Sequence, residues 1–179
     1  NWIGLHPVIL DELLDPIGSY QTQSRTEIKA ELSRKVMAVK TNDLEALMDL
    51  LREYQQGYSL RLAAADIAGL ISRAELSTAL CDLAEIILEQ ALTISAANLS
   101  PTQIPGILQR IGIVAYGKLG SRELGYNSDL DLIFLCEQET GGESDSTTGY
   151  HKYSRLVQRL VHVLTTRTQA GQLYEIDMR

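Results

Sequence analysis

Residues 129 to 135 read Asp-Leu-Asp-Leu-Ile-Phe-Leu, and a run of this kind can pack in few ways. Strand side chains alternate between faces, so Leu130, Leu132 and Phe134 share one side while Asp129 and Asp131 share the other. The first set needs a core. The second sets two like charges close together on the opposite face. A hard divalent cation relieves that repulsion, and Mg2+ commonly takes one or two carboxylates together with substrate phosphates.

A lone Asp-x-Asp would be read as the solvated face of an edge strand, but its surroundings argue otherwise. Asp is depleted in strands, and this pair follows a segment carrying Gly117, Gly120 and Gly125. Ahead of the glycines, Ile111-Gly-Ile-Val-Ala-Tyr116 reads as a short buried strand by its length and β-branched content. Gly117 and Gly120 let the backbone turn and approach a ligand with no Cβ in the way. The amides of Gly120 and Ser121 are then expected to be free to cradle a triphosphate, an ordinary hairpin turn being the plainer alternative. Neither G-x-x-x-x-G-K-[ST] nor a helix-opening G-x-G-x-x-G occurs.

Near the end of the chain, Gln172-Leu-Tyr-Glu-Ile-Asp-Met alternates polar and apolar residues and predicts a strand with Leu173, Ile176 or neighbours packed and a carboxylate on the other face. Glu175 and Asp177 share its other face at i and i+2, so spacing alone offers two acids for one role. Solvated acids on an edge strand are the plainer reading.

Gly120-Ser121 followed by Asp129-Leu-Asp131 resembles the signature of the DNA polymerase β-like nucleotidyltransferase superfamily. The longer string from Tyr116 to Phe134 is similar to the bacterial glutamine synthetase adenylyl-transferring and adenylyl-removing enzymes. His6 to Asp15, Arg61 to Gly69 and Gly171 to Arg179 also look like segments of that family, more like its carboxy-terminal, adenylyl-transferring half. Family members continue beyond Asp177-Met-Arg179, so the chain looks like an excised fragment, truncated within its nucleotidyltransferase core.

The resemblance implies attack of a glutamine synthetase tyrosine on the α-phosphorus of ATP, giving adenylyl-tyrosine and pyrophosphate. It assigns Asp129, Asp131 and Asp177 to two Mg2+ ions, with Asp177 beside the nucleophile as a proton acceptor. Gly120, Ser121, Ser128 and Lys118 are the expected ATP-binding residues; a turn hydroxyl and a solvated amine are the plainer readings of the last two. Arg122 and Arg179 carry the same ambiguity. The implied partners are glutamine synthetase and, through the longer protein, the PII signalling protein. Two alternatives stand beside transfer: phosphorolytic removal of AMP by the same ligands, and a nucleotide-sensing or docking module without turnover.

Charge and composition bound the rest. The 179 residues carry a net charge of -7, which argues against a nucleic-acid surface, although Arg110, Lys118 and Arg122 could form a local patch for ATP. Two cysteines, Cys81 and Cys136, indicate no disulfide framework. With no spanning run and no signal pattern, a cytoplasmic protein without membrane contact is expected. His6, His151 and His162 lack metal-ligand spacing.

The chain divides near residue 108. Residues 1–108 are expected to form a helical bundle, with helices over Glu27 to Val39, Asn42 to Ala64 and Leu76 to Ala97. Asn42-Asp43 and Ser77 suit helix starts, Gly69 and Leu99 to Gly106 suit breaks, and Leu44, Leu47, Leu51 and Tyr54 form a core stripe. Asp66 is an oddity in an Ala-rich run and is expected to cap or pair. Residues 109–179 are expected to hold the sheet, a mobile loop over Gln138 to Gly149 and a helix over Tyr150 to Thr166. That helix turns Tyr153, Leu156, Val157, Leu160, Val161 and Leu164 to the sheet. The fold class is α+β: a helical bundle followed by a nucleotidyltransferase-type mixed sheet with packed helices.

Overall fold

The computed structural model describes residues 23–39, 43–97, 104–137 and 145–178. The family-like segment around His6, the cap candidate Asn42, the break at residues 98–103, the first part of the expected loop and Arg179 lie outside the described residues.

Three helices come first: α1 (Arg25–Ala38), α2 (Leu44–Ile67) and α3 (Arg73–Ala96). Local chemistry sets their starts. In α1 the Ser24 side chain accepts from the Glu27 amide while the Glu27 carboxylate accepts from the Ser24 amide, a reciprocal capping box. Ser72 and Glu75 repeat the device at α3, so the expected start at Ser77 is wrong. Ser77 lies a full turn inside a helix already capped by the earlier serine. Asp43 caps α2 through the Ala46 amide at 3.0 Å. Gly69, at φ +69°, ends the α2 region as expected, although the helix itself runs to Ile67.

A short helix, α4 (Ile104–Gln109), leads into β1 (Ile111–Tyr116). Pro105 and Gly106, expected to break structure, fall in its first turn, where a missing amide matters least. The one-turn α5 (Gly117–Gly120) and a turn lead to β2 (Leu130–Cys136), then α6 (Asp145–Thr165) and β3 (Ile176–Met178). Residues 145–149 are therefore helical, where a loop was expected. The sheet order is β1-β2-β3, with β1 and β2 antiparallel and β2 and β3 parallel. The class is α+β.

α3 is the hub. It packs against α1, α2 and α6, and Leu83, Ile86, Ile87 and Ala91 are fully buried along it. The stripe Leu47, Leu51 and Tyr54 is buried as expected, with Leu44 packed at its margin. One apolar cluster joins these helices to Leu119, Leu130, Leu132, Leu160, Leu164 and Leu173, and the expected boundary at residue 108 falls within α4. α6 buries Tyr153, Leu156, Leu160, Val163 and Leu164, meeting α3 and β3. Among the described residues no helix is long and apolar enough to cross a membrane.

Candidate active site

β2 is the middle strand, so its side chains have neighbours on both sides. Asp131 stands opposite Tyr116 of β1 and in register with Asp177 of β3. Partners in register point to the same face. Leu130 and Leu132 are fully buried on the other face, where Ile113, Ala115, Phe134 and Ile176 pack against the core. The alternation expected from the sequence is thus realised. β2 begins at Leu130, however, and Asp129 lies just ahead of the strand. The Leu130 amide donates to the Glu175 carbonyl at 2.9 Å, which ties the segments leading into β2 and β3. Asp129, Glu175 and Asp177 are exposed and Asp131 is half-buried.

Gly117 has φ +56°, and a Cβ built there would meet Oδ2 of Asp131 at 2.0 Å. A Cβ on Gly120 would meet the Ala115 carbonyl oxygen at 2.7 Å. Both glycines are thus required by close approach of the chain to itself, one of them to a candidate ligand side chain. The expectation of a free Ser121 amide does not hold: it donates to the Gly117 carbonyl at 3.0 Å. The turn is closed further by Arg122 N–H to Leu119 O at 3.1 Å and Glu123 N–H to Lys118 O at 2.8 Å. These bonds have the pattern of a Schellman C-cap, which draws those amides inward.

Ser128 serves the next turn. Its hydroxyl accepts from the Gly125 amide at 3.0 Å, and its own amide donates to the Gly125 carbonyl at 3.2 Å. The expected basic patch does not assemble. Arg110 precedes β1 while Lys118 and Arg122 follow it; the Arg122 guanidinium binds Asp82 at 2.7 Å and Glu85 at 3.0 Å, and Lys118 lines a cavity.

That cavity, of about 980 Å³, separates the glycine turn from the end of α2 and the start of α3. A second, of about 500 Å³, opens beside Asp129 and is lined by Gln55, Asn127, Gln172, Tyr174 and Glu175. Tyr126 borders both, and its hydroxyl donates to Asp66 at 3.4 Å, giving that acid its pairing role. Burial, and then Asp66, pushes the Tyr126 phenol up; burial does the same to Tyr174. Sequence reasoning missed these lining residues. Tyr126-Asn127, lying between Gly125 and Asp129, were the available signal.

It also missed Arg52, which is fully buried. Its guanidinium donates to Met48 O at 2.6 Å, Gly171 O at 2.8 Å, Val163 O at 2.9 Å and to Thr166 O. Burial lowers its pKa, with Asp49 acting in opposition. Arg52 joins α2 to the carboxy-terminal carbonyls of α6, where a cation also complements the helix dipole, and to the turn before β3.

The acids suit Mg2+ by type, since all their donors are hard oxygens. Neighbouring strands lie about 4.8 Å apart, so rotations about the Asp side-chain bonds are enough to bring the carboxylates of Asp131 and Asp177 together. Among the described residues no three His, Cys, Asp or Glu side chains already form a metal-binding group. The fit therefore rests on backbone register and donor type.

Residues 2–179 match the family described as Glutamate-ammonia ligase adenylyltransferase. Similar proteins include three named "Bifunctional glutamine synthetase adenylyltransferase/adenylyl-removing enzyme". That of Thioalkalivibrio sulfidiphilus is 42% identical over 97% of this chain and 19% of its own length. That of Shewanella loihica is 37% identical over 99% of this chain and 20% of its own. That of Idiomarina loihiensis is 39% identical over 99% of this chain and 20% of its own. The chain spans about a fifth of the length of these relatives. With the family matched over almost every residue, the chain belongs to the glutamate-ammonia ligase adenylyltransferases.

Proposed function

We propose that this chain carries a nucleotidyl-transfer centre that moves AMP from ATP to a tyrosine of glutamine synthetase. The observation that carries the reading is the pairing of Asp131 with Asp177 in register, with Asp129 two residues ahead. Membership of the family supplies the reaction class.

Asp129, Asp131 and Asp177 would hold two Mg2+ ions. When bound, these ions neutralise charge on the attacking and leaving oxygens of an in-line displacement. The chain's own residues do the rest. Gly117 leaves room for the Asp131 carboxylate at the end of β1. Lys118, projecting into the larger cavity, is placed to meet phosphate as a point charge. Gly120 and Ser121 shape the turn beneath it, the Ser121 hydroxyl donating within the turn to Glu123 at 3.1 Å. Ser128 acts by holding the loop that delivers Asp129. A carboxylate oxygen of Asp177, exposed at the sheet edge, accepts the phenolic proton of the incoming tyrosine. Glu175 belongs to the same ledge and borders the smaller cavity.

The test uses the protein carrying this chain at its full natural length, with glutamine synthetase, Mg2+ and ATP, read by intact-subunit mass. Addition of one AMP per subunit that is lost in Asp129→Asn and Asp131→Asn is the expected result. Undiminished transfer in both variants would sink the assignment. If the variants instead lose only phosphate-driven removal of AMP from modified enzyme, this centre runs the opposite direction. The PII signalling protein would act on the direction through the longer protein.

A further inference from the structure

Arg122 is the sole non-glycine residue with positive φ among the described residues, at +60°. It occupies the C′ position of the Schellman turn that closes α5, a place where glycine is favoured because an L side chain is strained there. For the turn alone, glycine would be the better residue. Strain of this kind persists where the side chain has a separate use.

That use is visible. The Arg122 guanidinium reaches across to α3, donating to Asp82 Oδ1 at 2.7 Å, Glu85 Oε1 at 3.0 Å and Thr78 O at 3.4 Å. Asp82 and Glu85 are shared with Arg25 of α1, which reaches Asp82 at 3.3 Å and also binds Glu85. Two arginines and two carboxylates thus connect α1, α3 and the glycine turn. The backbone at either side of Arg122 is independently anchored by the buried side chains of Leu119 and Leu124. Losing the guanidinium therefore should not unfold the turn. It should free its orientation.

We propose that Arg122 is a positioning residue: through Asp82 and Glu85 it fixes the glycine turn on the helical region. It thereby fixes Lys118. This rests on the nucleotidyl-transfer reading above. The helical region is then part of the phosphate-binding apparatus without touching phosphate. Arg122 lines the same cavity as Lys118, but its charge is held by two acids, so it acts through the turn.

Arg122→Gly in the full-length protein separates the roles, because it removes the tether while relaxing the backbone. The KM is read for ATP in AMP transfer, or for phosphate in AMP removal, whichever direction Asp131→Asn abolishes. The expected result is a KM raised about tenfold, with kcat within about twofold, from misplacement of a binding group. Hydrogen exchange should quicken at the amides of residues 121 to 123, while the midpoint of thermal unfolding stays within a few degrees. Arg122→Lys, which keeps the charge but not the planar fork, should recover part of the KM. Wild-type KM in Arg122→Gly, with activity still dependent on Asp131, would overturn the positioning role alone. Persistence of both activities in Asp131→Asn would instead overturn the centre on which it rests.

Discussion

Two arginines in this chain bind in opposite settings, and the regions around them differ in the same way. Arg52 is sealed between α2, α6 and the turn before β3, giving its hydrogen bonds to main-chain carbonyls. Arg122 lies on the surface, 41% exposed, and gives its bonds to carboxylates. Around Arg52 the guanidinium is met by main-chain carbonyls, and the interior is closed by Leu51, Leu83, Ile86 and Ile87. Around the glycine turn and the sheet ends, acids stand exposed beside cavities. The first region is built for stability. The second keeps charge unneutralised, which stability alone would not favour.

If that division is real, a change at Arg52 should be felt as unfolding. Arg52→Met keeps the stem but leaves the carbonyls of Met48, Gly171 and Val163 without their donor. Loss of a buried, charge-assisted network of this kind costs about 3 kcal/mol. Chemical denaturation should show it. A loss below about 1 kcal/mol would mean that water or neighbouring amides replace the guanidinium, and the interior would not be as closed as described.

Gly117→Ala probes the other region and should be felt as lost turnover. The new Cβ overlaps the space of Asp131 Oδ2, 2.0 Å away, and the carboxylate must swing aside. The φ of +56° adds strain of about 1 kcal/mol. Moving a reacting group by about 1 Å costs roughly 100-fold in rate. The expected pattern is therefore a turnover loss near that size with a small drop in unfolding free energy. Full activity in this variant would show that Asp131 works from a different rotamer.

The difference between the regions also explains what could be read from the sequence. α2 and α3 are legible because apolar spacing and caps are local, although Ser77 misled where Ser72 with Glu75 gave the fuller signal. The alternation of faces was legible for Leu130, Asp131 and Leu132 because a strand has a fixed period of two. Asp177 became a neighbour of Asp131 only through a parallel pairing across 46 positions, which no local pattern encodes. The roles of Arg122 and Arg52 were not legible for the same reason. Their partners lie 37 to 44 and up to 119 positions away, and a lone arginine in sequence looks the same whether it holds a phosphate, a carboxylate or a carbonyl. The Ser121 amide was misjudged because a glycine-rich string does not reveal that the turn closes on itself.

The smallest effect sharpens the comparison from the helical side. Ser72→Ala removes the side-chain acceptor for the Glu75 amide and should cost about 1 kcal/mol at neutral pH. Glu75→Ala should cost less, and its effect should depend on pH. Bonds from the Ser72 amide, and then from the Ser72 hydroxyl, hold the Glu75 carboxyl below its usual 4.5. A group with a depressed folded pKa contributes stability above its unfolded value and loses it as pH falls through the folded one. The gap between wild type and Glu75→Ala should thus be constant at pH 6 to 8 and close as the medium is acidified below about 4.5. Part of the Ser72→Ala deficit should persist there, since the bond its hydroxyl accepts from the Glu75 amide does not titrate. Catalytic constants measured in both variants at neutral pH should match wild type, because the cap stabilises α3 without altering Asp82 or Glu85 further along it. A change in the KM for ATP in either variant would show that the start of α3 and the glycine turn move together, and the line between the two regions would have to be redrawn at Asp82.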